Sequence, residues 1–223
     1  MDSSPIRIEP IVSEFFAENA YIVWRQGDSR AVVVDPGFSP ELIIEFLGRE
    51  QLTPDAILLT HGHSDHIAGN QALKDSWPDC PLIIGHGDAY KLTDPQGNLS
   101  ANYGVALVSP PADQTVSEGD SIEAAGIQFD TLETPGHSAG HVVFLYESEG
   151  RTHVLGGDVL FQGSVGRTDF PDGSFDDLRA SIHDKLFPLP SDTVVYPGHG
   201  PTTTIGEEKQ HNQFVGRSAG YDL

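Results

Sequence analysis

The feature that most constrains the fold of this chain is where its candidate metal ligands stand relative to its apolar runs. Four of them fall within segment 61–66, His-Gly-His-Ser-Asp-His, directly after the apolar run Ile57–Thr60. Three more, each in a glycine-containing turn after a strand-like run, are His137, Asp158 and His199. A glycine beside a ligand suits a backbone that turns sharply and approaches an ion closely. If the four strands end at one rim, these side chains converge there, and the sequence predicts a metal centre at a sheet edge.

The ligand types indicate which ions such a centre would hold. Imidazole and carboxylate groups suit zinc, iron or manganese, and segment 61–66 has no cysteine to favour a structural zinc site. A structural site is normally closed by four ligands, whereas seven ligands shared by two ions leave coordination positions open. The set therefore favours a catalytic centre over the alternative of a non-catalytic metal-binding module.

Runs of apolar and β-branched residues predict strands joined in part by helices. The predicted strands are Ile6–Val12, Tyr21–Trp24, Ala31–Val34, Ile57–Thr60, Leu82–Gly85, Ile127–Leu132, Val142–Tyr146, Val154–Gly156 and Thr193–Tyr196. Ser39-Pro40-Glu41 predicts a helix start, and a second helix is predicted over Phe175–Phe187. Helices at some junctions and short turns at others predict an α/β fold with mixed sheets and helices packed outside them. The length of 223 residues predicts a single domain, 1–223.

One segment, Asp94–Asp113, breaks this pattern with three prolines and two glycines. It is the least regular stretch of the chain, and such loops are either functional or decorative. We therefore expect a long loop, with a place beside the site and a place on the remote surface as equal alternatives.

Charge and cysteine content limit the partners and the compartment. The chain has 12 Lys and Arg against 33 Asp and Glu, a net charge of -21, which disfavours nucleic acid and anionic membranes as partners. No apolar run approaches the roughly 18 residues of a membrane span, and Met1–Glu9 lacks the basic and apolar regions of a signal peptide. The single cysteine, Cys80, can close no internal disulfide, and we expect it to be an inert packing residue. The expected compartment is the cytoplasm.

The seven candidate ligands stand in the order and spacing of the metallo-β-lactamase superfamily hallmark, and the whole chain resembles that superfamily. The resemblance implies a four-layer αββα sandwich with two divalent metal ions at one edge, zinc foremost and iron or manganese as alternatives. It implies that the first ion is held by His61, His63 and His137. The second ion would be held by Asp65, His66 and His199. Asp158 would bridge the two ions.

Within the superfamily the chain is most similar to short bacterial glyoxalase II-like proteins. The resemblance rests on Gly156–Phe161, Gly166–Phe170, Tyr196–Pro201 and Thr203–Glu207. It implies hydrolysis of a small-molecule thioester, expected to be glutathione-linked such as a hydroxyacylglutathione, by a metal-bound hydroxide. Because a thiolate leaves without being protonated, the reaction suits a site that has no obvious general acid.

The residue roles that follow are few. Asp65 and Asp158 are expected to be catalytic as well as metal-binding. Arg167 is the best cation for a substrate carboxylate, with an internal ion pair to Asp169 or Asp176 as an equal alternative. The chain ends near the last ligand, and Pro201 stands where longer glyoxalase II enzymes have a tyrosine. The sequence therefore does not identify the acyl group or the thiol carrier of the substrate. It does not predict the oligomeric state either.

A persulfide dioxygenase is the alternative enzyme. That group is also similar to this chain at Gly166–Phe170, and it uses a single iron at the His61, His63, His137 and Asp158 type of site. Pro197-Gly-His199-Gly-Pro201 favours the hydrolase, because the dioxygenases typically have an Ala-His-Asp pattern there.

Overall fold

The computed structural model describes residues 4–223, and it contains two six-stranded sheets. Residues 1–3 lie outside the described residues. They belong to the predicted domain 1–223 and to the segment Met1–Glu9, for which no signal peptide is predicted. The first sheet has the order β1-β2-β3-β4-β5-β6. Its strands are β1 (Ile6–Val12), β2 (Asn19–Arg25), β3 (Arg30–Val34), β4 (Thr53–Leu59), β5 (Leu82–Gly85) and β6 (Gln114–Val116). The pairs β1·β2 and β2·β3 are antiparallel, and the pairs from β3 to β6 are parallel.

The second sheet is antiparallel except at one pair. Its strands are β7 (Ser121–Ala124), β8 (Ile127–Glu133), β9 (Val142–Ser148), β10 (Arg151–Gly157), β13 (Val194–Pro197) and β14 (Thr203–Thr204). Their order is β14-β13-β10-β9-β8-β7, with β10 and β13 parallel. A separate small hairpin joins β11 (Leu160–Phe161) to β12 (Ser164–Val165).

Five α-helices complete the regular structure of the described residues. They are α1 (Pro40–Glu50), α2 (Ser64–Ile67), α3 (Asn70–Ser76), α4 (Phe175–Ser181) and α5 (Ile205–His211). Short 3-10 helices lie at His86–Thr93, Ser100–Tyr103 and Arg217–Ala219. The predicted helix 175–187 is α-helical only to Ser181, and continues as a π-helical turn over Ile182–Leu186 that keeps both of its end residues buried. None of the helices within residues 4–223 has the length and apolar character needed to cross a bilayer.

Three apolar clusters define four layers. The two sheets face each other across a central core that includes Tyr21, Val23, Phe129 and Phe144. The alternate residues of the strands point outward, so that Ile22 and its neighbours pack under α1 and α3. On the opposite outer face, α4, the π-helical turn and α5 cover the second sheet. The central strands β3, β4 and β5 are largely buried on both faces, whereas β7 and β8 alternate buried and exposed residues. Two facing sheets between two outer helical layers confirm the αββα class.

The strand directions bring the candidate ligands to one edge. Strands β8, β10 and β13 run the same way, and their carboxyl ends lead into His137, Asp158 and His199. In the first sheet, β4 leads into His61. The backbone N–H of Val142, at the start of β9, donates to the carbonyl of Thr60 at 2.8 Å, which fixes the end of β4 against the second sheet. The site therefore lies where the two sheets meet.

Candidate metal centre

The structure brings all seven predicted ligands together in three overlapping groups, and within each group the donor atoms lie within 4.8 Å of one another. The groups are His61, His63 and His137; His61, His66 and Asp158; and Asp65, His66 and His199. The first and last groups are the two sets that the family resemblance assigns to separate ions. The middle group joins them through Asp158.

The carboxylate of Asp158 lies between the two sets. Its Oδ2 atom is 3.6 Å from His137 Nε2 and 3.5 Å from His199 Nε2, and its Oδ1 atom is 3.5 Å from His66 Nε2. Asp65 completes the second set, with Oδ2 3.4 Å from His199 Nε2. Donor atoms bound to one ion at about 2.0–2.1 Å are separated by about 3.3 Å in a tetrahedral arrangement, so these spacings suit divalent cations.

Unsatisfied polar atoms provide an independent test of the fit. Among the described residues, His61 Nε2, His66 Nε2 and Asp158 Oδ1 are buried without a hydrogen-bond partner. Leaving one such atom unsatisfied costs about 1–3 kcal/mol. All three point into the same cluster, where a bound cation would satisfy them together. The residues present therefore fit a pair of divalent ions.

In four of the five ligand imidazoles, all except His63, the nitrogen remote from the centre is held by the protein, which leaves the other nitrogen to face the centre. His66 Nδ1 donates to Asp35 Oδ2 at 3.1 Å, and His61 Nδ1 lies 3.1 Å from Thr60 Oγ1, which itself donates to Asp35 Oδ2. His137 Nδ1 donates to the backbone carbonyl of Arg167 at 2.8 Å. These contacts fix the ring orientations before any ion binds.

Asp35 is the functional residue that the sequence reasoning missed. Asp35 directly follows β3, and His61 lies one residue beyond the end of β4, the parallel neighbour of β3. The position of Asp35 at a strand end was therefore the sequence signal that could have identified it. Its backbone has a φ of 48°, a left-handed conformation in which aspartate is one of the better tolerated residues. Its side chain also accepts from the backbone N–H of Thr60 at 2.8 Å, so one carboxylate orders two elements of the site.

Burial and neighbouring charges together set the protonation of the cluster, and the carboxylates raise the pKa of His66 and His199 against the effect of burial. For the other three ligand imidazoles burial dominates. It lowers the pKa of His61, His63 and His137 below the usual histidine range, so these rings are neutral and able to coordinate at neutral pH. Burial opposes the charged form of Asp158 also, but the surrounding imidazoles, led by His66, outweigh it and hold the pKa of this carboxyl well below its usual range. The carboxylate is ionised, as a bridging ligand must be.

A cavity of about 330 Å³ opens onto the ligands. Leu99 and Tyr103 line this cavity, so the irregular loop 94–113 lies beside the site. Of the two alternatives for this loop, the place beside the site is therefore the one that the structure has. Arg167 also lines the cavity. Its guanidinium forms an ion pair with Asp169 at 2.8 Å, which is one of the two internal pairs expected as an alternative to binding a substrate carboxylate. The other candidate, Asp176, pairs instead with Arg179.

A second missed group is a buried ionic network behind the ligands. Asp88 and Lys91 are both fully buried, with Lys91 Nζ 3.3 Å from Asp88 Oδ1 and 2.6 Å from Asp172 Oδ2. Asp88 accepts from the backbone N–H of Gly62, between two ligands, and of Gly140. The network thereby ties together the loops that carry His61, His63 and His137.

His141 and Cys80 have structural roles near and away from the centre, respectively. His141 Nε2 accepts the backbone N–H of Asp158 at 3.1 Å, and its Nδ1 lies 3.0 Å from Thr134 Oγ1, so this ring orders the segment that carries the bridging carboxylate. Cys80 is buried, and burial raises the pKa of its thiol to about 12, which agrees with an inert packing role.

Fold and site together define the class: an αββα protein with a centre suited to divalent cations at the edge of its sheets. A family model described as the metallo-beta-lactamase superfamily matches residues 14–199. The hydroxyacylglutathione hydrolase GloC of Haemophilus influenzae is 35% identical over 213 residues, which are 94% of this chain and 98% of the relative. The chain belongs to the metallo-beta-lactamase superfamily, and its relatives include metal-dependent hydrolases.

Solved structures agree with this assignment. The crystal structure of the BLEG-1 B3 metallo-beta-lactamase is 40% identical, with a TM-score of 0.88 over 94% of this chain and 99% of that chain. TTHA1623, solved in a di-iron-bound form, is 38% identical, with a TM-score of 0.78 over 92% of this chain and 99% of that chain. The fold prediction made from the family resemblance is therefore confirmed.

Proposed function

We propose that this protein hydrolyses a small-molecule thioester, such as a hydroxyacylglutathione, with two divalent ions held by the seven residues of the centre. The observation that carries the proposal is the position of Asp158, whose two oxygens lie 3.5–3.6 Å from imidazole nitrogens of both ligand sets. A carboxylate in that position can serve two ions at once. The similarity to a hydroxyacylglutathione hydrolase supports the substrate class.

The chain's own groups suit thioester cleavage. Divalent ions, when bound, lower the pKa of coordinated water to about 7 and polarise a carbonyl oxygen. Outside the seven ligands, the described residues lining the cavity include no carboxyl or imidazole group, and the phenol of Tyr103, which also lines it, is 59% exposed. A thiolate leaves without protonation, whereas an amide nitrogen does not. This lining therefore supports a thioester over an amide or lactam substrate.

Arg167 is proposed to bind an anionic group of the substrate. Its pair with Asp169 is exposed, both side chains being about two-thirds accessible, and exposed pairs of this kind contribute little free energy. A substrate carboxylate can therefore replace Asp169 at small cost. The prediction of a cytoplasmic location belongs to the same proposal, because a single cysteine and a thiol-carried substrate both suit a reducing compartment.

The test combines metal analysis with two assays on one sample. The protein is purified without added metal, zinc, iron and manganese are measured per chain, and lactoyl-glutathione hydrolysis and oxygen uptake with glutathione persulfide are recorded. We expect close to two metals per chain and thioester cleavage. One iron with oxygen consumption would select the dioxygenase instead, and metal binding without turnover of thioester, ester or persulfide would select the non-catalytic module.

A further inference from the structure

A second depression adjoins the catalytic cavity and has an apolar lining. It has a volume of about 230 Å³. We call it the aromatic groove, and its apolar lining consists of Phe15, Phe16, Phe38, Tyr103, Val105 and Leu107. Phe16, Ser64 and Tyr103 line both this groove and the cavity that holds the ligands. A molecule bound at the metal centre can therefore extend into the groove without crossing open solvent.

The groove exposes large apolar side chains on a strongly acidic chain. Phe15 is 64% exposed, Tyr103 59%, Val105 53% and Phe16 49%. Isolated exposed apolar residues are ordinary, but a contiguous group beside a cavity marks a binding surface. The groove is also ordered by its own ring contacts, since Phe16 packs edge-on against Tyr103 at a centroid distance of 5.4 Å and in a tilted arrangement against Phe38 at 5.8 Å. It is a formed surface rather than a loose loop.

The backbone fixes the groove relative to the centre. Phe16 and Ala17 have φ values of 64° and 51°, in the left-handed region that residues other than glycine rarely adopt. Such conformations concentrate at functional sites. The carbonyl of Phe16 accepts the Nδ1 proton of His199 at 3.1 Å, so the segment that carries two of the groove's rings also orients a ligand.

We propose that the aromatic groove binds an apolar arm of the substrate, an alkyl or aryl group of several carbons attached to the thioester. This inference rests on the proposed function. None of the residues that line the groove has a charged side chain, so the charged groups of a peptide thiol would lose hydration there without gaining a partner. An apolar arm would instead exchange water contact for contact with the rings. The arm could belong to the acyl side or to the thiol side of the substrate.

Binding of inert thioethers tests the groove without requiring turnover. Affinities of S-methylglutathione and S-hexylglutathione for the metal-loaded protein are measured by calorimetry. We expect the hexyl compound to bind roughly tenfold more tightly, because part of five added methylene groups is buried. In the double variant Phe15→Ala/Tyr103→Ala the preference is expected to fall below about threefold. Both side chains are exposed, so the variant is expected to fold, and its circular dichroism melt verifies this.

The matched control is Phe214→Ala, which removes a phenyl ring that is 49% exposed and lines neither the groove nor the catalytic cavity. It should leave the hexyl preference unchanged. Equal affinities of the two thioethers, or a preference that survives the double substitution, would each overturn the proposal.

Hydrolysis assays then locate the arm and separate this proposal from the function on which it rests. One series lengthens the acyl group on glutathione from lactoyl to hexanoyl, and the other compares acetyl-glutathione with phenyl thioacetate. The series in which kcat/KM rises identifies the side that enters the groove. A hexyl preference without hydrolysis of any thioester would overturn the proposed function and support the groove, whereas hydrolysis without that preference would overturn the groove alone.

Discussion

Asp35 illustrates how a residue that touches no ion can set the properties of a metal centre. Its carboxylate accepts from His66 Nδ1 and from Thr60, so Asp35→Asn removes the charge that orients one ligand while keeping a side chain that tolerates the φ of 48°. We expect the affinity of the second ion to fall about 10–100-fold. Titration against a chromophoric chelator measures it. Asp28→Asn, at a surface pair with Arg30, is the control and should change nothing.

Cys80 gives a prediction about reactivity. Burial raises the pKa of its thiol to about 12, so the thiol is protonated at pH 8 and the reactive thiolate is scarce. Labelling of the native protein with a chromogenic disulfide at pH 8 should therefore be slow. In guanidinium chloride the single thiol should react fully within minutes, which serves as the control. Rapid stoichiometric labelling of the native protein would show that the side chain is accessible.

At the level of elements, the loop that delivers His137 depends on its contact with α4. Gly136 has a φ of 137°, and a Cβ atom added there would overlap the backbone of Leu178. Gly27 has a φ of 89° but nothing within 4 Å of the corresponding position. Gly27→Ala should cost about 1 kcal/mol from backbone strain alone. Gly136→Ala should cost at least about 2 kcal/mol more, because the loop or the helix must move. Urea unfolding of both variants measures the difference.

The 3-10 helix His86–Thr93 carries the buried network that holds the ligand loops. Lys91→Met would leave Asp88 without its cation in a fully buried position, and we expect a loss of about 3–5 kcal/mol in the free energy of unfolding. Adding Asp172→Asn should recover part of that loss, because it removes a second unpaired carboxylate. As a control, Lys185→Met breaks a surface pair with Glu118 and should cost no more than about 1 kcal/mol. Equal effects of the two lysine substitutions would contradict a structural role for the network.

For the whole molecule, the sequence predicted those parts of the fold whose signal is local. The nine apolar runs all form strands, because β-branched and apolar residues in runs of this length give a clear strand pattern. The strands β6, β7, β11, β12 and β14 were not predicted, since each has four residues or fewer and is too short to give a clear apolar pattern. Convergence of the seven ligands was predictable from strand ends, and Asp35 carried the same signal, whereas the role of Lys91 required the tertiary arrangement. Metal occupancy stays a prediction.

Metal binding should therefore contribute to the stability of the entire chain. The ligands come from four segments in two sheets, so ions bind the folded state and not the unfolded one. At a free ion concentration a thousand times the dissociation constant, one ion adds about 4.1 kcal/mol, which for a chain of this size raises Tm by roughly 8–16 °C. Removal of both ions by a chelator should lower Tm by at least that amount, and added zinc or manganese should restore it. The chelator response should shrink in His61→Ala, which removes a ligand, and persist in His211→Ala, an exposed histidine outside the three donor groups. If chelation leaves Tm unchanged in the wild-type chain, the seven residues do not bind ions in the folded protein.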